Sequence, residues 1–307
     1  MKKVWFSLLT AVLVVGLIAG CSSQSGLEQQ EEKQDDSVTI GFSISTLNNP
    51  FFVTLKEGAE KAAKDSGAEL IVVDAQDDSA KQLSDVEDLI QKKVDILLIN
   101  PTDSHAVSSA VESANQAGIP VITVDREAEG GETVAHIASD NVSGGKMAGE
   151  YILEQLGGKG NIVELEGIPG TSAARDRGKG FHEAVDGKPG VKVVASQPAD
   201  FNRAKGLNVM ENILQSHKDI QAVFAHNDEM ALGALEAIQG AKKEILVVGF
   251  DAIEDAVKAV EKGDMAATIA QKPEEMGRIA AEVAVKAAKG EKVDKFYPVE
   301  LELITKK

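Results

Sequence analysis

The chain has 307 residues, 43% of them hydrophobic, a length that buries a large core and favours two domains. Acidic residues number 49 against 32 basic ones, a net charge of -17, which excludes a nucleic-acid surface built on clustered Lys and Arg and otherwise serves solubility. A single Cys excludes an internal disulfide.

The first element is a leader. Lys2 and Lys3 precede an apolar run from Val4 to Ala19, and the small-residue site Ile18-Ala19-Gly20-Cys21 follows. A basic start, a short apolar region and a small-residue site are the pattern of a signal peptide over residues 1–20. The lone Cys21 at its end resembles a bacterial lipobox, which implies cleavage before Cys21 and a diacylglycerol thioether with palmitate-type chains on it. Two acyl chains make a stable anchor where one does not. The competing reading is an uncleaved transmembrane anchor with an incidental Cys. Residues 21–37 form the lipidated Cys and a disordered tether, because "SSQSGLEQQEEKQDD" has no aromatic residue and almost no aliphatic one. The only Trp, Trp5, lies in the leader, so the mature protein has none.

From Val38 onward short apolar strands alternate with helical stretches. Strands are expected at 38–44, 69–74, 94–99, 120–125 and 134–138, then at 161–166, 191–196, 220–225, 245–250 and 266–270, with a last one at 297–304. Helices are expected at 50–66, 79–92, 103–117, 142–157, 172–186, 202–216, 228–239, 252–262 and 273–289. Short all-apolar strands separated by helices predict parallel sheets covered on both faces. The fold class is α/β, with two doubly wound Rossmann-like lobes meeting near residues 138–141. Gly67, Gly118 and Gly240 are expected to close helices before the next strand.

In open α/β sheets ligands sit beyond the carboxyl ends of the strands. Those ends carry Asn48, Asn49, Phe51 and Phe52; Asn100, Thr102 and Asp103; Asp125 and Arg126; Thr171, Arg175 and Arg177; Asp200, Phe201 and Asn202; Asn227 and Asp228; Asp251; and Gln271. Carboxylates and amide carbonyls accept from hydroxyls, and guanidinium and amide N–H groups donate to them. Flat aromatic rings cover the apolar C–H faces of a sugar. Asp125 and Asp251 balance Arg126 and Arg177, which suits a neutral polyol rather than an anion.

Purely structural roles compete at each position. An Asp or Asn after a strand is often the N-cap of the next helix. Asp125 and Arg126 can be a structural ion pair. Phe51 and Phe52, about 100° apart on a helix, can be core. The five His residues, 105, 136, 182, 217 and 226, show no metal-ligand spacing and read as structural or surface. Gly144-Gly145-Lys146-Met147 lacks the Ser or Thr and the upstream Gly of a phosphate loop. No G-x-S-x-G elbow, H-E-x-x-H or Gly-rich dinucleotide turn is present, so the sequence points to no enzyme, no metal and no cofactor.

The stretches "STLNNPFF", "INPTDS", "IPVITVDR", "HIASDN", "GTSAARDRGKGF", "ASQPADFNR", "NDEMALGAL", "VVGFD" and "ATIAQ", in this order from Val38 to the C-terminus, closely resemble the bacterial D-ribose-binding proteins. These are substrate-binding components of ABC importers, within the periplasmic sugar-binding and lactose-repressor superfamily. The resemblance implies a type I periplasmic-binding-protein fold, with lobes joined by three crossovers and the sugar between them. It assigns residues 38–139 plus 272–300 to an N-terminal lobe and 140–271 plus 301–307 to a C-terminal lobe. Crossovers are expected near 139–141, 271–273 and Leu301.

By the same resemblance Asn49, Phe51, Phe52, Asp125 and Arg126 from the first lobe, and Arg177, Phe201, Asn227 and Asp251 from the second, bind the sugar together with Gln271 at a crossover. The Phe rings sandwich the pyranose and the polar groups bond its hydroxyls. Departures are Pro169 in the Gly turn and His226 before Asn227, the latter with an expected effect on pH behaviour. The implied function is capture of D-ribose outside the cytoplasm by a monomeric lipoprotein on the outer face of the cell membrane, and delivery to a membrane permease. A chemoreceptor is left open as a second reader of the closed form. The alternatives are another pentose, allulose or a furanosyl signalling molecule on the same fold. A sugar-responsive transcription regulator shares the fold but carries an N-terminal helix-turn-helix, where this chain has its leader and acidic tether.

Overall fold

The computed structural model describes residues 37–306. The expected leader, the expected lipidation site Cys21 and the expected tether over 22–36 lie outside the described residues. Among the described residues no helix is long and apolar enough to cross a membrane.

The first lobe begins with β1 (Thr39–Ile44), α1 (Pro50–Asp65), β2 (Glu69–Asp74), α2 (Ser79–Gln91), β3 (Ile96–Ile99), α3 (Ser108–Gln116), β4 (Val121–Val124) and β5 (Ala135–Ser139). The chain then enters the second lobe with α4 (Asn141–Gln155), β6 (Gly160–Glu166), α5 (Ser172–Val185), β7 (Val191–Pro198), α6 (Arg203–Ser216), β8 (Ala222–Ala225), α7 (Asp228–Gly240), β9 (Leu246–Asp251), α8 (Glu254–Lys262) and β10 (Ala267–Ala270). It returns to the first lobe as α9 (Pro273–Ala288) and β11 (Phe296–Val299), and ends in the second as β12 (Glu302–Thr305). Two six-stranded sheets result, ordered β11-β5-β4-β3-β1-β2 and β12-β10-β9-β8-β6-β7. This is the doubly wound α/β architecture expected from the alternation of apolar strands and helices. The chain passes between the sheets at Asp140, at Gln271–Lys272 and at Glu300–Leu301.

Strands β3, β4 and β8 are buried along their whole length. Their largely apolar sequences, with Thr123 the polar exception, need cover on both faces, and the helices supply it. Core clusters lie on both sides of each sheet: Phe42, Leu55, Ile122 and Met276 on one face of the first, Leu89, Leu97 and Val111 on the other.

Three expectations are corrected. The single strand at 297–304 is two strands in different sheets. β11 runs parallel to β5, whereas β12 runs antiparallel to β10, so the second sheet is not wholly parallel. Val299, Leu301 and Leu303 alternate with Glu300 and Glu302, so the period of a single strand continues across the change of sheet, with Leu301 packing on the second lobe's core. The helix expected from 103 starts only at Ser108, because the Asp103 carboxylate accepts from the amides of His105 (2.9 Å) and Ala106 (2.7 Å) and holds a turn there. Gly67 (φ +69°) and Gly118 (φ +76°) take the left-handed residue after α1 and α3, but Gly240 stays helical and Lys242 (φ +53°) takes that place after α7.

Glycines also set how closely helices approach. A Cβ on Gly145 of α4 would overlap the carbonyl oxygen of Arg177 in α5, and one on Gly180 would overlap that of Val142. The Gly144-Gly145-Lys146 stretch, lacking the residues of a phosphate loop, therefore serves to press α4 onto α5. Gly58 and Gly277 do the same for α1 and α9.

Candidate functional site

The slot between the lobes is built from strand ends and helix starts. After β1 the chain turns so that Asn49 caps α1: its side-chain oxygen accepts from the Phe51 amide at 3.0 Å, and Pro50, which has no N–H to satisfy, takes the first helical position. Phe51 and Phe52 follow at once and meet edge to face, with centroids 5.1 Å apart and planes at 88°. Each is 3% exposed.

Asp125 follows β4 directly with φ +66°, a left-handed conformation that turns its carboxylate inward. Asn100, at the end of β3, holds that turn by donating to the Val124 carbonyl (3.0 Å) and to Asp125 Oδ2 (3.3 Å). Arg126 donates to the Pro101 carbonyl at 2.9 Å. Its guanidinium lies 5.1 Å from the Phe52 ring centre and 5.2 Å from that of Phe201, which belongs to the other lobe.

In the second lobe Arg177 projects from α5. It donates to Asn141 Oδ1 (2.8 Å) and to the His226 carbonyl (2.6 Å), and stacks 3.9 Å from the Phe250 ring centre. Phe201 has φ +57°, and its ring lies where a Cβ on Gly167 would stand. Asn227 caps α7 by accepting from the Met230 amide at 3.0 Å and donates to the Phe201 carbonyl at 3.3 Å. Asp251 ends β9 with φ +118° and accepts from Gln271 Nε2 at 2.8 Å, with Arg177 3.7 Å away.

All ten residues singled out in the sequence, Asn49, Phe51, Phe52, Asp125, Arg126, Arg177, Phe201, Asn227, Asp251 and Gln271, line this one slot. Asn49 and Asn227 are helix caps as well as lining residues, so capping does not remove either from the slot. Ala173 lines the slot too and was missed. It carries no polar or aromatic signal, and its small size leaves room. Of the other strand-end candidates, Thr171 and Asn202 cap α5 and α6, Arg175 pairs with Glu129 at 2.7 Å, and Asp200 with Lys205 at 2.7 Å. His226 is buried, its ring set between Glu164 (2.9 Å) and the Gly167 amide (3.2 Å), and only its carbonyl meets Arg177. Pro169 is exposed.

Two carboxylates and two guanidinium groups, none more than 5% exposed, face the slot. Burial pulls both arginines below their usual range, and Asp125 and Asp251 oppose that shift. Burial pushes the Asp251 carboxyl up to about 7, against the pull of Arg177. Asp125 Oδ1, Arg126 Nε and Gln271 Oε1 are buried without a hydrogen-bond partner among the described residues. Buried polar atoms rarely stay unpaired. Acceptors and a donor beside aromatic rings are what a neutral polyhydroxylated ring satisfies, since each hydroxyl both donates and accepts. No group of three or more His, Cys, Asp or Glu among the described residues is placed to hold a metal ion.

Two α/β lobes with a polar, aromatic-walled slot at the carboxyl ends of both sheets define a small-molecule binding protein. The chain belongs to the periplasmic binding protein domain family, whose model matches residues 40–292. It is 54% identical over 309 residues to a ribose import binding protein of Bacillus subtilis strain 168, covering 100% of both chains. It is 58% identical over 269 residues to the ribose import binding protein of Escherichia coli K12, covering 87% of this chain and 90% of that one. Among solved structures, a periplasmic solute-binding protein of an ABC transporter from Actinobacillus succinogenes with bound D-allose superimposes with a TM-score of 0.83 at 34% identity, covering 88% of this chain and 98% of that one.

Proposed function

We propose that this protein is the extracytoplasmic ribose-binding component of an ABC importer, closing its lobes on D-ribose and handing it to the membrane permease. The observation that carries the reading is the set of unpaired buried atoms on Asp125, Arg126 and Gln271 in a slot of balanced charge. Relatives at 54% and 58% identity are named as ribose import binding proteins. These relatives are binding proteins rather than enzymes.

In this reading Phe51, Phe52 and Phe201 cover the faces of the sugar ring. Asp125 and Asp251 accept from its hydroxyls, Arg126 and Arg177 donate to them, and Asn49, Asn227 and Gln271 complete the shell. The lobes are 38–139 plus 272–300 and 140–271 plus 301–307, and motion about their crossovers opens the slot. The mature chain starts at a lipidated Cys21, is held on the outer face of the membrane and acts as a monomer. A chemoreceptor that reads the closed form is a further partner.

Calorimetry of the protein against D-ribose, its epimers, D-allose and myo-inositol tests the assignment. Ribose is expected to bind tightest and to raise the melting temperature as its concentration rises. A flat response to ribose, or tighter binding of another sugar, rejects it. Labelled palmitate is expected to enter the wild type and not Cys21→Ala, and an unlabelled wild type rejects the lipid anchor.

A further inference from the structure

Asp228 is buried completely, one residue beyond the slot residue Asn227, and does not line the slot. An acidic residue in the first turn of a helix ordinarily faces solvent and favours the helix dipole. Here the carboxylate turns away from α7 to the loop after β9. Its Oδ1 accepts from the Thr268 hydroxyl at 2.7 Å, and its Oδ2 accepts from the Ile253 amide at 2.9 Å. The Thr268 hydroxyl in turn accepts from the Ala252 amide at 3.2 Å. Asp228 and Thr268 thus hold both amides that follow Asp251.

Those amides belong to a strained turn. Asp251 has φ +118° and Ala252 φ +57°, conformations that residues with a side chain seldom adopt. Such a turn persists only where its surroundings hold it. Gly249 provides the third observation: a Cβ there would overlap Asp228 Oδ1, so β9 gives up a side chain to let the carboxylate in. The Asp251 carboxylate leaves this turn toward Arg177 and Gln271.

We propose that Asp228, acting through the Thr268 hydroxyl and the Ile253 amide, is a positioning residue that holds the turn carrying Asp251 and so sets sugar affinity without touching the sugar. Clamp and turn lie in one lobe, so the clamp is in place whether the lobes are open or closed. The inference takes D-ribose as the ligand from the reading above, and one arm of the test does not depend on it.

Two measurements on the full chain decide the matter. The first is amide hydrogen exchange of Ala252 and Ile253 without sugar. Protection of both amides is expected in the wild type; Thr268→Val is expected to lose it at Ala252 and Asp228→Asn to weaken it at Ile253, while Thr268→Ser keeps it at both. Unprotected wild-type amides, or protection unchanged in both variants, overturn the proposal whatever the ligand. The second is ribose calorimetry. Losing a buried hydrogen bond that holds the turn predicts about a two- to tenfold affinity loss in Asp228→Asn and Thr268→Val, with Thr268→Ser close to wild type. Combined with Asp251→Asn, Asp228→Asn is expected to cost little more, because a residue that works through Asp251 has nothing left to position. Full additivity, or wild-type affinity in a folded Thr268→Val, overturns it. If the wild type itself ignores ribose, the functional reading falls and the amide exchange still decides this one.

Discussion

Asp251 combines burial, strain and charge in one side chain. Its carboxyl titrates at about 7, because burial disfavours the ionised form more than Arg177 and Gln271 favour it. The folded state therefore binds this proton more tightly than the unfolded state, whose Asp titrates near 3.8. The sugar-free protein gains stability from this group at low pH and loses that gain as pH rises from about 3.8 to about 7. Melting curves of wild type and Asp251→Asn without sugar check the sign: the variant is expected to gain relative to wild type at pH 8 and not at pH 4. Binding runs the other way. Hydroxyls donate to the ionised carboxylate, so affinity for ribose is expected to fall as pH drops below about 7, and calorimetry in buffers of different ionisation enthalpy should register proton release. Asp251→Ala is expected to remove nearly all ribose binding, since each hydrogen bond to a charged group is worth about 1.5–3 kcal/mol. Arg126 makes a second residue-scale test. Its planar guanidinium lies near both Phe52 and Phe201, a geometry an ammonium does not reproduce. Arg126→Lys is expected to lower affinity about tenfold or more while keeping the charge, a stacking loss of the order of a desolvated cation–π contact.

The α4–α5 pair shows how an element fixes a side chain. Gly145 and Gly180 remove the atoms that would hold these helices apart, and Arg177 sits on the face so brought close, its guanidinium bonded to Asn141 at the start of α4. Gly145→Ala is expected to cost about 1–3 kcal/mol by overpacking and to displace Arg177. The melting temperature and the ribose affinity should fall together, whereas unchanged affinity would mean that Arg177 does not depend on this contact. Helix boundaries were legible wherever apolar period and caps agreed, as at Pro50 and Asp228. They were not legible at Asp103, where one carboxylate bonding two amides delays the helix, nor were strand limits legible around Leu301, where an alternation kept up through Glu300 and Glu302 hides a change of sheet.

At the scale of the molecule the lobes touch directly beside the slot. The Ser104 amide donates to the Gly170 carbonyl (2.9 Å), the Ser172 amide to Ser104 Oγ (3.0 Å), and the Glu127 amide to Ser172 Oγ (2.9 Å). Arg175 pairs with Glu129 at 2.7 Å. These contacts exist only while the lobes are together, so they add to closure without contacting ligand. Ser172→Ala is expected to weaken ribose binding by about 0.5–1.5 kcal/mol and to make the ribose-bound protein less compact by small-angle scattering. Equal affinity and equal compactness would show that closure does not draw on this edge.

The sequence by itself determined the succession of elements, because apolar period and capping chemistry act over a few residues. It also determined which residues stand at the strand ends, because an α/β chain places Asn49, Asp125, Asn227 and Asp251 there one after another. Only the tertiary structure decided which of them meet. That Arg126 lies beside Phe201 of the other lobe, that 297–304 divides between two sheets, and that Asp228 reaches across to the turn of Asp251 depend on packing between segments far apart in the chain. No local pattern encodes such contacts. They are fixed by the close fit of helices and strands around the two cores, down to the single absent Cβ of Gly249.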